Sequence, residues 1–143
     1  TKYDAQGNVA EWWTPAVSAE FDRRAACVVK QFDGYTAVGE VKLNGQLTLG
    51  ENIADLGGLR LSYAAWLARR AGGPAAFFLG YAQAWCTAVR PEAARLRAQT
   101  DPHAPPVWRV NGPLANLPAF REAFSCPAGS PMVRAGAERC EIW

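Results

Sequence analysis

The sequence predicts a single, mostly helical piece, and three observations carry that reading. Apolar residues recur at helical spacing in long segments that have recognisable start and stop signals. Only one short stretch carries a hairpin signal. Proline and glycine punctuate the chain between helical segments without forming a linker, and no internal repeat or low-complexity tract is present. The length agrees: 143 residues suffice for one real core but not for two independent ones.

The first helix is expected in "EWWTPAVSAEFDRRAACVVKQFDGY". Thr14 would stand at its N-cap, Pro15 at its first position, and Asp33-Gly34 would stop it. Phe21, Ala25, Val28, Val29 and Phe32 fall near one face. In "EVKLNGQLTL", Asn44-Gly45 lies between short apolar-bearing arms, the pattern of a tight hairpin or loop. A second helix is expected from about Gly50 to Arg70, ended by Gly72-Gly73-Pro74. A third, "AAFFLGYAQAWCTAV", should break or kink at Pro91, and "PEAARLRAQ" is a short further piece. The stretch from Thr100 to Pro113, dense in proline and turn residues, reads as an ordered loop. Asn116 would cap a last short helix, "LPAFREAF", before an irregular tail pinned by two cysteines.

Composition excludes several function classes. Half the residues are hydrophobic and a fifth are charged, which is globular rather than disordered. A formal charge of +2 with scattered arginines gives no footprint for nucleic acid. No apolar run approaches the roughly 20 residues that cross a bilayer, and no basic-then-apolar leader is present. The opening "TKYDAQGNVAEWW" lacks a starting Met, as expected of a processed chain, a fragment or one piece of a longer protein. Arg greatly outnumbers Lys and Ala is abundant, which hints at a GC-rich bacterial genome. Cys27, Cys86, Cys126 and Cys140 are widely spaced and form no C-x-x-C pair, so they read as disulfide formers of an exported protein. Four cysteines permit three pairings, and buried free thiols in a cytosolic protein are the alternative.

The chemistry concentrates in "TLGENIADLGGLRLSYAAW". Thr48-x-x-Glu51 matches a capping box, and acidic residues suit the first turn of a helix. Three features oppose a purely structural reading. Glu51 and Asp55, at i and i+4, repel by a few tenths of a kcal/mol. Gly57 and Gly58 together cost roughly 2 kcal/mol in a helix interior, which suggests that another backbone or helix approaches closely. Ile53, Leu56 and Leu59 make the flanks apolar, so both carboxylates could enter a partly buried place where they need a cation, a metal or strong hydrogen bonds. A glycosidase-like acid pair fits poorly, because those carboxyls face each other across a scissile bond from separate strands or loops.

"GENIADLGG" closely resembles the glutamate zinc-ligand motif of the neprilysin and endothelin-converting-enzyme family of zinc metallopeptidases. "LNGQLTLGENIAD", "FFLGYAQAWC", "RPEAARLRAQTDPHAPPVWRVNGPLANLPAF" and a closing "SPM…RCEIW" resemble further family segments in the same order. "YDAQGNVAEWW" resembles the segment shortly after the family's His-Glu-x-x-His helix. The resemblance implies that residues 1–143 form the C-terminal portion of a gluzincin, or thermolysin-like, catalytic domain. The hairpin or loop would precede the zinc-ligand helix.

By that resemblance Glu51 is the downstream Zn2+ ligand. Asp55 would hydrogen-bond a zinc-ligating histidine and fix its tautomer. His103, the chain's one histidine, would donate to the oxyanion, and Arg109 would grip a substrate backbone carbonyl. Taken by themselves, His103 could be a surface or packing residue and Arg109 a surface ion pair. The family pattern would pair Cys27 with Cys140, while Cys86 and Cys126 would pair with partners in an N-terminal part. The chain has no His-Glu-x-x-His and so holds about half an active site. The implied partners are therefore an N-terminal portion carrying that motif and a peptide substrate, outside the cytoplasm. Two other readings stay open: a non-catalytic module that binds peptide or protein with the same fold, and a plain disulfide-stapled helical domain.

Overall fold

The computed structural model of the chain describes residues 3–69 and 72–142. Six α-helices dominate: α1 (Pro15–Asp33), α2 (Leu49–Arg69), α3 (Pro74–Ala84), α4 (Pro91–Thr100), α5 (Pro106–Ala115) and α6 (Pro118–Ala123). A small antiparallel pair, β1 (Thr36–Val38) and β2 (Val41–Lys42), joins α1 to α2. A 3-10 turn at Gly136–Glu138 interrupts the tail.

α1 forms as its sequence dictates. Thr14 accepts a hydrogen bond from the Val17 amide, Pro15 opens the helix, and Gly34 closes it. Ala25, Val28 and Phe32 are buried from its apolar face. α2 divides the interior: Leu56 joins a cluster with Val28, Phe32, Leu43 and Ile142, and Leu59 joins one with Phe78, Val110 and Leu114. Burying a side chain such as Leu59 or Phe78 contributes about 1.5–3 kcal/mol. The Cys27–Cys140 disulfide, 5.5 Å between Cα atoms, ties α1 to the C-terminal tail.

The structure corrects several sequence expectations. The hairpin turns at Gly39, whose φ is +54°, rather than at Asn44-Gly45. Gly45 serves a close approach instead, because an added Cβ would collide with the Val29 carbonyl, and its amide donates to Asp33 at 2.7 Å. Gly58 shows no such crowding: nothing lies within 4 Å of a Cβ added there. α3 ends at Ala84, earlier than "AAFFLGYAQAWCTAV" suggested. The expected Thr100–Pro113 loop is a loop only to Pro105, since Pro106 opens α5 with a φ already suited to a helix. Asn116 does not cap α6 with its side chain; it is buried and bonded elsewhere. Of the two tail cysteines, Cys140 is bonded within the chain, and Cys126 has no disulfide partner among the described residues. Arg70, the expected end of the second helix, and Trp143, the end of the Cys-x-x-Trp segment, lie outside the described residues.

Candidate active site

The local chain frees Glu51 from capping. Asn44 begins the turn that leads into α2, its side chain accepting from the Leu47 amide at 2.9 Å. The Thr48 amide bonds the Asn44 carbonyl, and the Thr48 hydroxyl accepts from buried Asn52 at 2.8 Å. No capping box closes between Thr48 and Glu51. The Glu51 carboxylate instead points toward His103 and Arg109.

Arg109 rises from the first turns of α5. Its Nε and Nη2 each donate to an Asp55 oxygen at 2.7 Å, and Nη2 lies 3.4 Å from Glu51 Oε2. The guanidinium also rests 4.3 Å from the centroid of the Trp85 ring, a cation–π contact. The Asp55 side chain is 9% exposed and that of Arg109 15%. The paired hydrogen bonds from Asp55 raise the Arg109 pKa further, against a smaller opposing effect of burial. Pairing Arg109 with Asp55 was not expected from the sequence, yet three donors used leave both Nη1 hydrogens without a partner among the described residues.

Pro113 would ordinarily weaken this helix, because it has no amide to bond the carbonyl four residues earlier. That carbonyl belongs to Arg109, and the Tyr81 hydroxyl donates to it at 2.9 Å. Tyr81 thus replaces the missing amide and anchors the backbone that carries the arginine. Burial first, then the charge of Asp55, pushes the Tyr81 phenol up to about 12, which keeps it a donor.

His103 stands in the loop between α4 and α5. Asp101 Oδ1 accepts from the His103 amide at 2.9 Å and lies 2.7 Å from its Nδ1. Nε2 lies 3.2 Å from Glu51 Oε2. Asp101 orients the ring, so the proton on Nδ1 is spoken for and Nε2 faces the carboxylates of α2. The backbone amide of His103, and next its ring, hold the Asp101 carboxyl below its ordinary value. Sequence reasoning missed Asp101 and also Tyr81 and Trp85. The Asp-x-His spacing, typical of an Asx turn, was the signal available for Asp101.

The four residues singled out in the sequence, Glu51, Asp55, His103 and Arg109, therefore meet in one cluster drawn from two helices and a loop. Among the described residues no group of three or more His, Cys, Asp or Glu could hold a metal ion. Glu51 is a fitting single ligand: its side chain is 39% exposed, and Oε1 has no partner among the described residues. A tetrahedral zinc site would need two further protein donors. Of the cysteines, Cys86 is exposed and free, and Cys126 is half-buried and free.

Comparison with known proteins places this geometry. The sequence model of peptidase family M13 matches residues 1–140. An endothelin-converting enzyme homolog of Locusta migratoria is 43% identical over 155 residues, covering 99% of this chain and 21% of that protein. Neprilysin-1 of Caenorhabditis elegans is 40% identical over 158 residues, again 99% and 21%. The crystal structure of the Mycobacterium tuberculosis zinc metalloprotease Zmp1 with an inhibitor superposes with a TM-score of 0.89 at 35% identity, covering 99% of this chain and 24% of that one. PepO from Lactobacillus rhamnosis gives 0.89 at 38% identity, covering 99% and 22%. The chain thus spans about a fifth of the length of these curated relatives.

Proposed function

The chain belongs to peptidase family M13, and on that premise we propose that residues 1–143 form the C-terminal part of the catalytic domain of a zinc endopeptidase acting on small peptides. One observation carries this reading: Glu51, Asp55, His103 and Arg109 converge, although 58 residues separate the first from the last. An N-terminal portion bearing His-Glu-x-x-His would complete the site, joined through Cys86 and Cys126 in an oxidising compartment outside the cytoplasm. The single membrane-related fact is that no described helix is long and apolar enough to span a bilayer.

Glu51 would hold the zinc together with two histidines of that portion. When bound, the metal supplies Lewis-acid polarisation of the peptide carbonyl. Asp55 accepts from Arg109 on one side, and its remaining lone pairs would fix a histidine ligand through the N–H of that ring. It acts as an acceptor in both contacts, which suits orientation and not proton donation. Asp101 holds His103 so that an Nε2 hydrogen can meet the developing oxyanion of the attacked carbonyl. Nη1 of Arg109 would bind a neighbouring substrate carbonyl while Asp55 and Trp85 keep the guanidinium fixed.

The test uses the full-length protein. Glu51→Gln should lose stoichiometric zinc while circular dichroism shows an intact fold. His103→Gln should keep zinc and lower kcat about 10²–10³-fold. Full zinc content in Glu51→Gln, or undiminished cleavage in His103→Gln, would refute the assignment.

A further inference from the structure

We propose that the cleft between α4 and the loop to α5 reads a carboxylate on the bound peptide, with Arg97 as its specificity-determining residue. The cleft has a volume of about 170 Å³, less than a drug-sized pocket and suited to a single side chain or chain terminus. Trp85, Val89, Ala98, Pro105 and Pro106 make most of its wall apolar, and His103 and Arg109 share that wall. A group entering it therefore lies directly beside the proposed reaction centre.

The charges in the wall are not equivalent. Arg109 gives two hydrogen bonds to Asp55, and its Nη1 is assigned above to a substrate backbone carbonyl. Asp101, the one carboxylate of the lining, is committed to the His103 amide and ring. Arg97 lines the same cleft, is exposed, forms no direct salt bridge among the described residues, and adds only a long-range charge to those that hold the Asp101 carboxyl low. An apolar slot whose Arg97 guanidinium makes no hydrogen bond among the described residues fits a short aliphatic stem that ends in a carboxylate, which the planar fork can bind in a bidentate manner. A glutamate side chain has that chemistry, and so does the C-terminal carboxylate of a short peptide. Glutamine, an amidated terminus or a lysine lacks it.

The inference rests on the peptidase reading for the identity of the ligand as a peptide, so cleavage and binding are measured separately. The full-length zinc-loaded enzyme is given four peptides, with Glu or Gln beside the scissile bond and a free or an amidated C-terminus. kcat/KM is measured on these, and Kd by calorimetry on analogues whose scissile bond is reduced. The expected result is about fivefold preference for one carboxylate over its neutral counterpart, the size typical of a partly exposed pair. Whether the preference follows the side chain or the terminus identifies its source. Arg97→Gln should erase it, and Arg97→Glu should reverse it in favour of the neutral counterpart. Equal constants for all four peptides, or a preference that survives in Arg97→Gln, would overturn the proposal. Discrimination in Kd without any cleavage would uphold the cleft and remove the peptidase reading. Cleavage without discrimination would do the opposite.

Discussion

Two polar networks sit at the two ends of α5, and they are built on different terms. At the C-terminal end, buried Gln31 donates to the Tyr35 hydroxyl at 2.8 Å and to the Gly112 carbonyl at 2.9 Å. Asn116 donates to Gln31 at 2.8 Å and accepts from the Cys140 amide at 2.8 Å. This network is neutral and largely buried, and it locks α1, α5 and the C-terminal tail together. At the N-terminal end, Glu51, Asp55, His103 and Arg109 are charged or chargeable and partly exposed. Donors and acceptors there remain without partners among the described residues, notably Arg109 Nη1 and Glu51 Oε1. A closed amide network specifies a structure, because every alternative leaves a buried group unpaired. An open charged network leaves capacity for a ligand. The contrast gives structural work to one end of α5 and, under the proposed function, chemistry to the other.

The largest effect should come from breaking the closed end. Asn116→Ala strands the Gln31 carbonyl oxygen and the Cys140 amide, each at a cost of about 1–3 kcal/mol. Urea unfolding should therefore show a loss of about 3 kcal/mol, unchanged by added salt because no charge is involved. A loss below 1 kcal/mol would mean that the network is not closed in solution. Breaking the open end should cost less. Asp55→Asn leaves Arg109 short of a full counter-charge, which is worth about 2 kcal/mol here. That figure is below the range for a fully buried pair because Glu51 stays 3.4 Å away and water still reaches the guanidinium. Unlike the first, this loss should shrink in high salt. A salt-independent loss as large as that of Asn116→Ala would abolish the distinction between the two ends.

Local rules made much of this legible. Thr14, Pro15 and Gly34 bound α1 as their chemistry requires, and the resemblance of "GENIADLGG" and "TDPHAPPVWR" to family segments singled out four site residues that the fold brings together. What stayed hidden depends on contacts distant in sequence. α5 looked like a loop because it contains Pro106 and Pro113, yet Tyr81, 28 residues before Arg109, satisfies the Arg109 carbonyl that Pro113 abandons. Asn116 looked like a cap because it precedes a helix, but Gln31 and Cys140 claim its side chain. Gly45 looked like a turn residue, while the neighbouring Val29 carbonyl is what excludes a larger one. In each case a partner from another element outweighed a correct local preference.

The smallest expected effect tests how tightly the open end is held without any ligand. Asp101 is the hinge of that question, since it holds both the amide and the Nδ1 of His103 while Glu51 faces only Nε2. The His103 amide and ring depress its carboxyl below the usual 3.8. A depressed carboxyl stabilises the fold above its unfolded value, and that contribution disappears as pH falls through the lower folded value. The loop around His103 should therefore stay ordered at neutral pH and loosen only below about pH 3.8. Hydrogen exchange at the His103 amide reads this locally. That matters because Glu20 on α1, lowered to about 2 by Arg23 and Arg24, also loses its partners in acid but cannot alter exchange in this loop. Asp101→Asn keeps an acceptor for the amide and removes the titrating charge, so the protection of the His103 amide, relative to an unstructured amide at the same pH, should become nearly independent of acid. If the variant still loosens over the same range, the ring is held by Glu51 rather than Asp101, and the open end is organised from α2 alone.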